Sequence, residues 1–487
     1  MSPFGEVLRN FWPQITALLT ITISVVTAGH AILYKRDSRA TVGWVGLIWL
    51  APVVGSLLYV LLGVNRVRRR ATVRRGTDRR TIRPLENWTC TPAELKEHLE
   101  HSHRHLVEMA HLSHRLTGLS LMRGNRVEPL IDGDSAYPAM LEAINSARKS
   151  VTLTSYIFAH DSVGARFLEA LSKAIKRGVY VRVLVDAVGA RYSTTPITGA
   201  LRHRGIRTAT FMSGLFLWRM PYFNLRNHRK ILVVDGHTGF TGGMNIRSNC
   251  MLSEHPPFPT RDIHFLVEGP VVEQLQSCFV DDWYFTTGER LSGHLWFPEQ
   301  HYAAGSVLAR GISDGPDHDM DKMGMAFHGA LSVARKSVRI LTPYFLPDRS
   351  LIAAINTCAM RGVAVDIVIP SKNNLKMVAW ACMSQLWQVL EWDARVWMSP
   401  PPFDHSKILI VDDTYTLLGS SNWDPRSLRL NFEFGMESYD AELARRLAQE
   451  FDTRRRASVQ VRKQDVDSRT LPIKLRDGVA RLFSPYL

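Results

Sequence analysis

A chain of 487 residues with 45% apolar and 9% aromatic side chains is too long for one ordinary domain and has material for large cores, so two or three folding units are expected. Lys and Arg number 60 against 45 Asp and Glu, and the formal charge of +15 points to an anionic partner, nucleic acid or acidic lipid. The five scattered cysteines, Cys90, Cys250, Cys278, Cys358 and Cys382, form no Cys-x-x-Cys pair; they suggest neither a disulfide framework nor a zinc site and fit a reducing compartment.

In chain order, Phe11 to Tyr34 and Val42 to Val64 come first, and neither contains Lys, Arg, Asp or Glu. Each is long enough to cross a hydrocarbon core of ~30 Å. The connector Lys35 to Thr41 is too short to be a domain, so the pair predicts a transmembrane hairpin with both ends on one side. A cleaved signal peptide fits less well, because a second apolar segment follows at once. Residues 66–80 then hold eight arginines against one aspartate. The positive-inside rule places this flank and everything after it on the cytoplasmic face, against a weak opposite pull from Lys35, Arg36 and Arg39. Such a cluster also attracts anionic headgroups. Residues 1–80 are therefore assigned to the hairpin and its basic flank.

Residues 81–125 form a helix-like connector carrying His98, His101, His103, His105, His111 and His114. Spacings of three and four invite a metal reading, but no Cys, Asp or Glu completes a ligand set, and a solvated interfacial helix is expected instead.

The remainder repeats. Ala143 to Phe158 matches Ala330 to Phe345, Lys176 to Asp186 matches Met360 to Pro370, and NHRKILVVDG (Asn227 to Gly236) matches DHSKILIVDD (Asp404 to Asp413), all in the same order. This is a duplicated domain. Amphipathic helical stretches alternate with β-branched runs, which predicts an α/β sandwich with a mixed sheet in each copy, over 126–300 and 301–487. Two copies with one chemical motif apiece imply that they face each other across a single active site.

On a strand, residues i and i+2 share a face, so His228 projects with Lys230 and His405 with Lys407. Asp235 and Asp412 fall at the strand ends, where they can serve a turn, and rank below the His and Lys residues. GGMN (Gly242 to Asn245) and GSSN (Gly419 to Asn422) follow at like distances; their glycines allow close approach, and Asn245, Ser420 and Asn422 can donate to an oxyanion. Two imidazoles, two ammoniums and two amides around one point describe a phosphate site. A metal is not expected, because a lysine beside each histidine would repel a cation. No Gly-x-Ser-x-Gly elbow or Walker loop supports another hydrolase or an NTPase. A lone His-x-Lys is more often a solvated strand end than a catalyst; two copies with matching spacings inside a duplicated domain argue against that explanation.

The duplicated HxKxxxxD pattern resembles that of the phospholipase D superfamily. More narrowly, RNHRKILVVDG, GGMNI, RDIHFLVEGPVV, RGISDGPD, TPYFLPD and SNWDPRSLRLNFE look like bacterial cardiolipin synthases, and the N-terminal hairpin is similar to that family's anchor. The resemblance implies two tandem phospholipase D-like domains and a two-step transfer on a phosphodiester, with a covalent phosphatidyl-histidine. By analogy His228 is the nucleophile and His405 the general acid, Lys230, Lys407, Asn245 and Asn422 hold the phosphate oxygens, and Asp262 and Glu433 orient the histidines. It implies no cofactor, phosphatidylglycerol and cardiolipin as anionic lipid partners, no nucleic acid, and a multi-pass protein of the bacterial inner membrane with its catalytic domains cytoplasmic; an oligomer is compatible. NIRSNCM after the first asparagine, Thr260 in place of Trp, and FDHSK before the second histidine depart from the common pattern and bear on acceptor specificity. A membrane-anchored lipid hydrolase or nuclease of the same superfamily and a noncatalytic lipid scaffold are the competing classes; the hairpin disfavours the nuclease and the two intact motifs disfavour the scaffold.

Overall fold

A computed structural model describes residues 3–35, 38–63, 85–193, 195–212, 225–299, 302–316 and 319–484. The arginine cluster of 66–80 lies outside the described residues, as does part of the Lys35 to Thr41 connector. The chain divides into two compact units, 1–70 with 214–224, and 71–213 with 225–487.

In the first unit, helix Pro3–Tyr34 contains an apolar run, Phe11–Tyr34, of 24 residues. Among the described residues it is the one helix long and apolar enough to cross a membrane. Its outward face exposes Leu18, Val26 and Leu33, an arrangement suited to lipid and costly in water. The second apolar segment departs from the expected single span. It is broken into Ser38–Leu50 and Pro52–Leu58, followed by a wide turn at Tyr59–Gly63. Proline explains the break: Pro52 lacks an N–H and its ring excludes the preceding helical carbonyl, so Ala51 takes φ −137°. These pieces still pack on the long helix, where Thr27 and Ser56 hydroxyls meet at 3.0 Å and His30 Nδ1 lies 2.8 Å from the Tyr59 hydroxyl.

The second unit is a mixed α/β structure in which the sequence repeat reappears as topology. Its first seven long strands are β1 (Leu121–Ile131), β2 (Ser150–Ser155), β3 (Tyr180–Asp186), β4 (Arg207–Phe211), β5 (Ile231–Val234), β6 (Thr238–Gly242) and β7 (Ile263–Glu268). They pair in the order β1-β7-β6-β5-β2-β3-β4, with β2, β3 and β4 parallel and the others antiparallel. The next seven are β8 (Val307–Asp314), β9 (Ser337–Leu341), β10 (Ala364–Pro370), β11 (Arg395–Ser399), β12 (Ile408–Val411), β13 (Tyr415–Gly419) and β14 (Asn431–Tyr439). Their order, β8-β14-β13-β12-β9-β10-β11, is the same. Helices Ser162–Lys176 and Arg349–Met360 make the corresponding crossovers, each opened by an aspartate cap, Asp161 on the Gly164 N–H and Asp348 on those of Ser350 and Leu351. Strands covered on both faces read as near-continuous apolar runs, as Val183–Val185 and Ile367–Ile369 do within β3 and β10.

The halves join where β1 pairs antiparallel with β8, Asn125 opposite Val307 and Met122 opposite Ala309. A shared core lies behind that seam, with Ile231, Val233 and Phe265 of the first half in one cluster with Ile408, Ile410, Phe434 and Met436 of the second. Each such side chain contributes roughly 1.5–3 kcal/mol on burial.

The histidine-rich connector is not the solvated helix expected from its polar composition. Helices Pro92–His98 and Val107–Thr117, with the turn His101–Leu106 between them, bury Leu95, Leu106 and Met109 in the second half's core. His105 is itself buried with Nε2 2.7 Å from Asp412, and Ser113 donates to Glu437 at 2.7 Å. Burial wins because each polar group that enters finds an acid to bond. Among the described residues no group of three His, Cys, Asp or Glu side chains could hold a metal ion.

Candidate active site

Each motif histidine lies in a gap between two short strands rather than inside one. Arg226–Asn227 precedes His228, and Ile231–Val234 follows Lys230; Phe403–Asp404 and Ile408–Val411 flank the second motif in the same way. The gap arises because the leading pair leaves its own sheet for the opposite half. Arg226–Asn227 pairs in parallel with Asn431–Phe432, and Phe403–Asp404 with Thr260–Arg261. The His228 N–H then donates to the Phe432 carbonyl at 2.9 Å and the His405 N–H to that of Arg261 at 2.8 Å.

That crossing delivers the orienting carboxylates. His228 Nδ1 lies 3.0 Å from both oxygens of Glu433, and His405 Nδ1 lies 2.9 Å from Asp262 Oδ2, so each ring is held by an acid of the other half. The two ring centroids are 6.5 Å apart. With Nδ1–H given to a carboxylate, each Nε2 lone pair is free for chemistry. Lys230 and Lys407 stand beside them; Nζ of Lys230 donates to the His228 carbonyl at 2.6 Å, and Lys407 does the same to His405. The side-chain carbonyl of Asn245 accepts the Ile157 N–H at 3.1 Å, which leaves its NH2 as a donor to the pocket that it lines. Asn422 lines the same pocket, with its NH2 3.1 Å from Ser427 Oγ.

Burial dominates the electrostatics. It pushes His228 down to about 4 and His405 well below the ordinary imidazole value, with the neighbouring lysines acting in the same direction. It also lowers Lys230 to about 7 and Lys407 to about 8. The carboxylates diverge. Burial raises Asp262 to about 6, Lys407 only partly offsetting it. Burial also presses Glu433 upward, but the His228 imidazole, Lys230 and the Ser420 hydroxyl outweigh it and hold the group below its usual range. A pocket that sets two buried lysines and the side-chain amides of Asn245 and Asn422 around two imidazoles suits a phosphodiester.

Two expected site residues, Asp235 and Asp412, lie behind the motif turns, and a third, Ser420, is placed on Glu433. Asp235 accepts the N–H groups of Arg148, Lys149 and Ser150 at 2.7–2.9 Å, and Asp412 those of Arg335, Lys336 and Ser337 at the same distances. Both adopt positive φ, 51° and 50°, and tie the turn after the motif to the start of β2 or β9. They are fastenings of the fold and do not meet His228 or His405. Ser420, expected at the phosphate, donates to Glu433 instead. The sequence reading passed over Tyr156 and Tyr344, whose rings lie 5.1 Å and 6.1 Å from His228 and His405, and the pocket-lining Arg226, Arg247 and Arg426. The tyrosines are one place out of register in the repeat, Tyr156 opposite Pro343 and Tyr344 opposite Ile157, so the repeat does not mark them; single arginines in so basic a chain carry no signal either.

Comparison with known proteins adds the following. Residues 140–283 and 328–455 match the family model described as cardiolipin synthase, PLD-like domain, and residues 22–63 match that of the phospholipase D-nuclease N-terminal segment. The chain is 29% identical to the major cardiolipin synthase ClsA of Bacillus subtilis (strain 168) over 482 residues, covering 96% of this chain and 98% of that protein. It is 30% identical to the cardiolipin synthase of Alkalihalophilus pseudofirmus, covering 98% and 95%. A phosphatidylserine synthase structure from Haemophilus influenzae Rd KW20 superposes with a TM-score of 0.62 at 15% identity, over 78% of this chain and all of that one, which speaks to the fold alone.

Proposed function

Because the chain belongs to the phospholipase D-like cardiolipin synthase family and is a cardiolipin-forming phosphatidyltransferase, we propose that it joins two phosphatidylglycerols through a covalent adduct on His228. The observation that carries this reading is the crossed arrangement, in which two neutral imidazoles face one pocket with their outer nitrogens fixed by Glu433 and Asp262. In the first step His228 Nε2 attacks phosphorus, the bond to the headgroup glycerol breaks, and the departing oxygen takes a proton from His405. In the second, a glycerol hydroxyl of another phosphatidylglycerol gives its proton to His405 and attacks phosphorus, and the P–N bond breaks to release cardiolipin. The bound phosphodiester supplies the negative charge that draws a proton onto His405, whose burial otherwise disfavours it. Lys230, Lys407 and the amides of Asn245 and Asn422 receive the phosphate oxygens, and Asp235 and Asp412 support the motif turns from behind.

The firm hold on Glu433 supports His228 as nucleophile. Attack leaves positive charge on that imidazole, and a carboxylate kept anionic is the better partner for it. Purified protein given phosphatidylglycerol as sole lipid is expected to release glycerol and cardiolipin in equal amounts. Phosphatidic acid without cardiolipin would assign the site to a hydrolase.

The same reading divides the chain into 1–80, anchor and basic flank; 81–125, connector; and 126–300 and 301–487, the two phospholipase D-like α/β sandwich domains. It makes the anchor a two-span hairpin in the bacterial inner membrane, with the catalytic domains cytoplasmic. Cysteines introduced one at a time after Arg80, in a cysteine-free background, should resist an impermeant thiol reagent in intact cells; ready labelling would reverse the orientation.

A further inference from the structure

Helix Leu471–Leu482 has two working faces, and the fold uses only one. Asp477 and Ala480 are buried against helix Lys376–Leu390, where the Arg476 guanidinium lies 4.5 Å from the Trp380 ring centroid and Arg469 donates to the Met383 carbonyl at 2.9 Å. At about 100° per residue, Leu471, Leu482, Leu475, Val479 and Phe483 fall on a single arc of about 120° that faces away from that contact. They are 68%, 75%, 61%, 56% and 49% exposed. Lys474 and Arg481 border one edge of the arc and Arg476 the other. An apolar stripe of this size between basic borders is unfavourable in water and matches the headgroup boundary of an anionic bilayer.

The helix also points at the site. Its contacts run antiparallel to Lys376–Leu390, Arg469 meeting Met383 and Arg476 meeting Trp380, so its C-terminal end approaches the start of that helix. There Asn374, Leu375 and Val378 line the active-site pocket, with Leu375 46% and Met377 41% exposed on either side of Lys376 and close to Lys372. A second copy of the chain is a poor occupant for this face, since it would bring the same basic borders together.

We propose that helix Leu471–Leu482 is a membrane-docking surface that seats its Leu471, Leu475, Val479, Leu482 and Phe483 stripe in an anionic lipid surface and brings the pocket mouth at Leu375 and Met377 to the bilayer. This rests on the lipid-transferase reading only for the purpose it serves; the docking itself follows from the helix.

The test uses the full chain in nanodiscs of phosphatidylglycerol and phosphatidylcholine. A nitroxide is placed on Val479→Cys or Leu482→Cys, with Arg446→Cys, on the exposed face of helix Ala441–Arg456, as a reference; the native cysteines are all buried. Labels on the stripe are expected to favour collision with oxygen over an aqueous nickel chelate several-fold relative to the reference. Equal accessibility at all three positions would overturn the proposal. In a second arm, the combined Leu475→Ser, Val479→Ser and Leu482→Ser variant should show a KM for vesicle phosphatidylglycerol raised about tenfold, with turnover of a monomeric short-chain phosphatidylglycerol unchanged. An equal loss on both substrates, or no loss on either, would also overturn it. If the wild type transferred no lipid at all, the activity reading would fall while the nitroxide arm still decided the docking.

Discussion

The two halves of the catalytic unit share a strand order and a motif, yet they hold their histidines differently. Glu433 is gripped by His228, by the Ser420 hydroxyl and by the Asn431 NH2 at 3.1 Å. The position matching Ser420 in the first half is Gly243, and a Cβ there would lie 2.6 Å from Asp262 Oδ1, so no hydroxyl fits. The consequence is one carboxylate held anionic and one pushed upward by burial. Behind each motif the charges are exchanged. In the first half Arg229 reaches helix Val272–Thr287 at Asp282, 2.6 Å away; in the second Asp404 reaches helix Ala441–Arg456 at Arg454, 2.5 Å away. The two halves share the scaffold and the motif imidazoles and differ in the groups that surround the carboxylates bonded to them.

If that difference assigns the roles, the largest effect separates the two histidines. His228→Ala should form no covalent adduct from a phosphatidyl donor with an activated leaving group, whereas His405→Ala should still form one and lose on the order of 10²–10⁴-fold on the natural donor. Trapping in excess chelator with mass spectrometry of the modified residue reads this. An adduct on His405 would exchange the roles, and activity lost to chelator and restored by a divalent ion would sink the mechanism.

A smaller effect concerns pH. In the free enzyme, kcat/KM should fall at low pH as His228, held near 4, takes a proton, fall with rising pH as the acid His405 loses its own, and fall further between about pH 7 and 8 as Lys230 and Lys407 lose theirs. A profile flat from pH 6 to 9 would mean that the ammonium charges are not needed.

The exchanged ion pairs should matter for stability alike in both halves. Arg229→Met and Arg454→Met each strand a buried carboxylate and should each cost about 3–5 kcal/mol in chemical denaturation. His105→Ala is the mildest change, about 1–2 kcal/mol with kcat unaffected, because Asp412 keeps its three backbone donors.

Much of this was legible in the sequence. The repeat gave the duplicated strand order, and equal spacings picked out His228, Lys230, Asn245 and their counterparts. Asp262 and Glu433 came from resemblance, because partnership across halves leaves no periodic trace. Three things were hidden for physical reasons. Pro52 divides an apolar run that composition alone presents as continuous. Ser420 lies two residues from Asn422 in sequence but is turned by a carboxylate 13 residues later. The connector's histidines look like surface residues until Asp412, 307 residues on, offers His105 a buried partner.

The crossed carboxylates also govern when the enzyme can become active during synthesis. His228 leaves the ribosome 205 residues before Glu433, an interval of roughly 10–40 s at ordinary elongation rates. Through that time His228 is without its Glu433 partner, and Asp262 waits 143 residues for His405. On the reading proposed above, a nascent chain therefore gains an oriented His228 only once translation has passed Glu433.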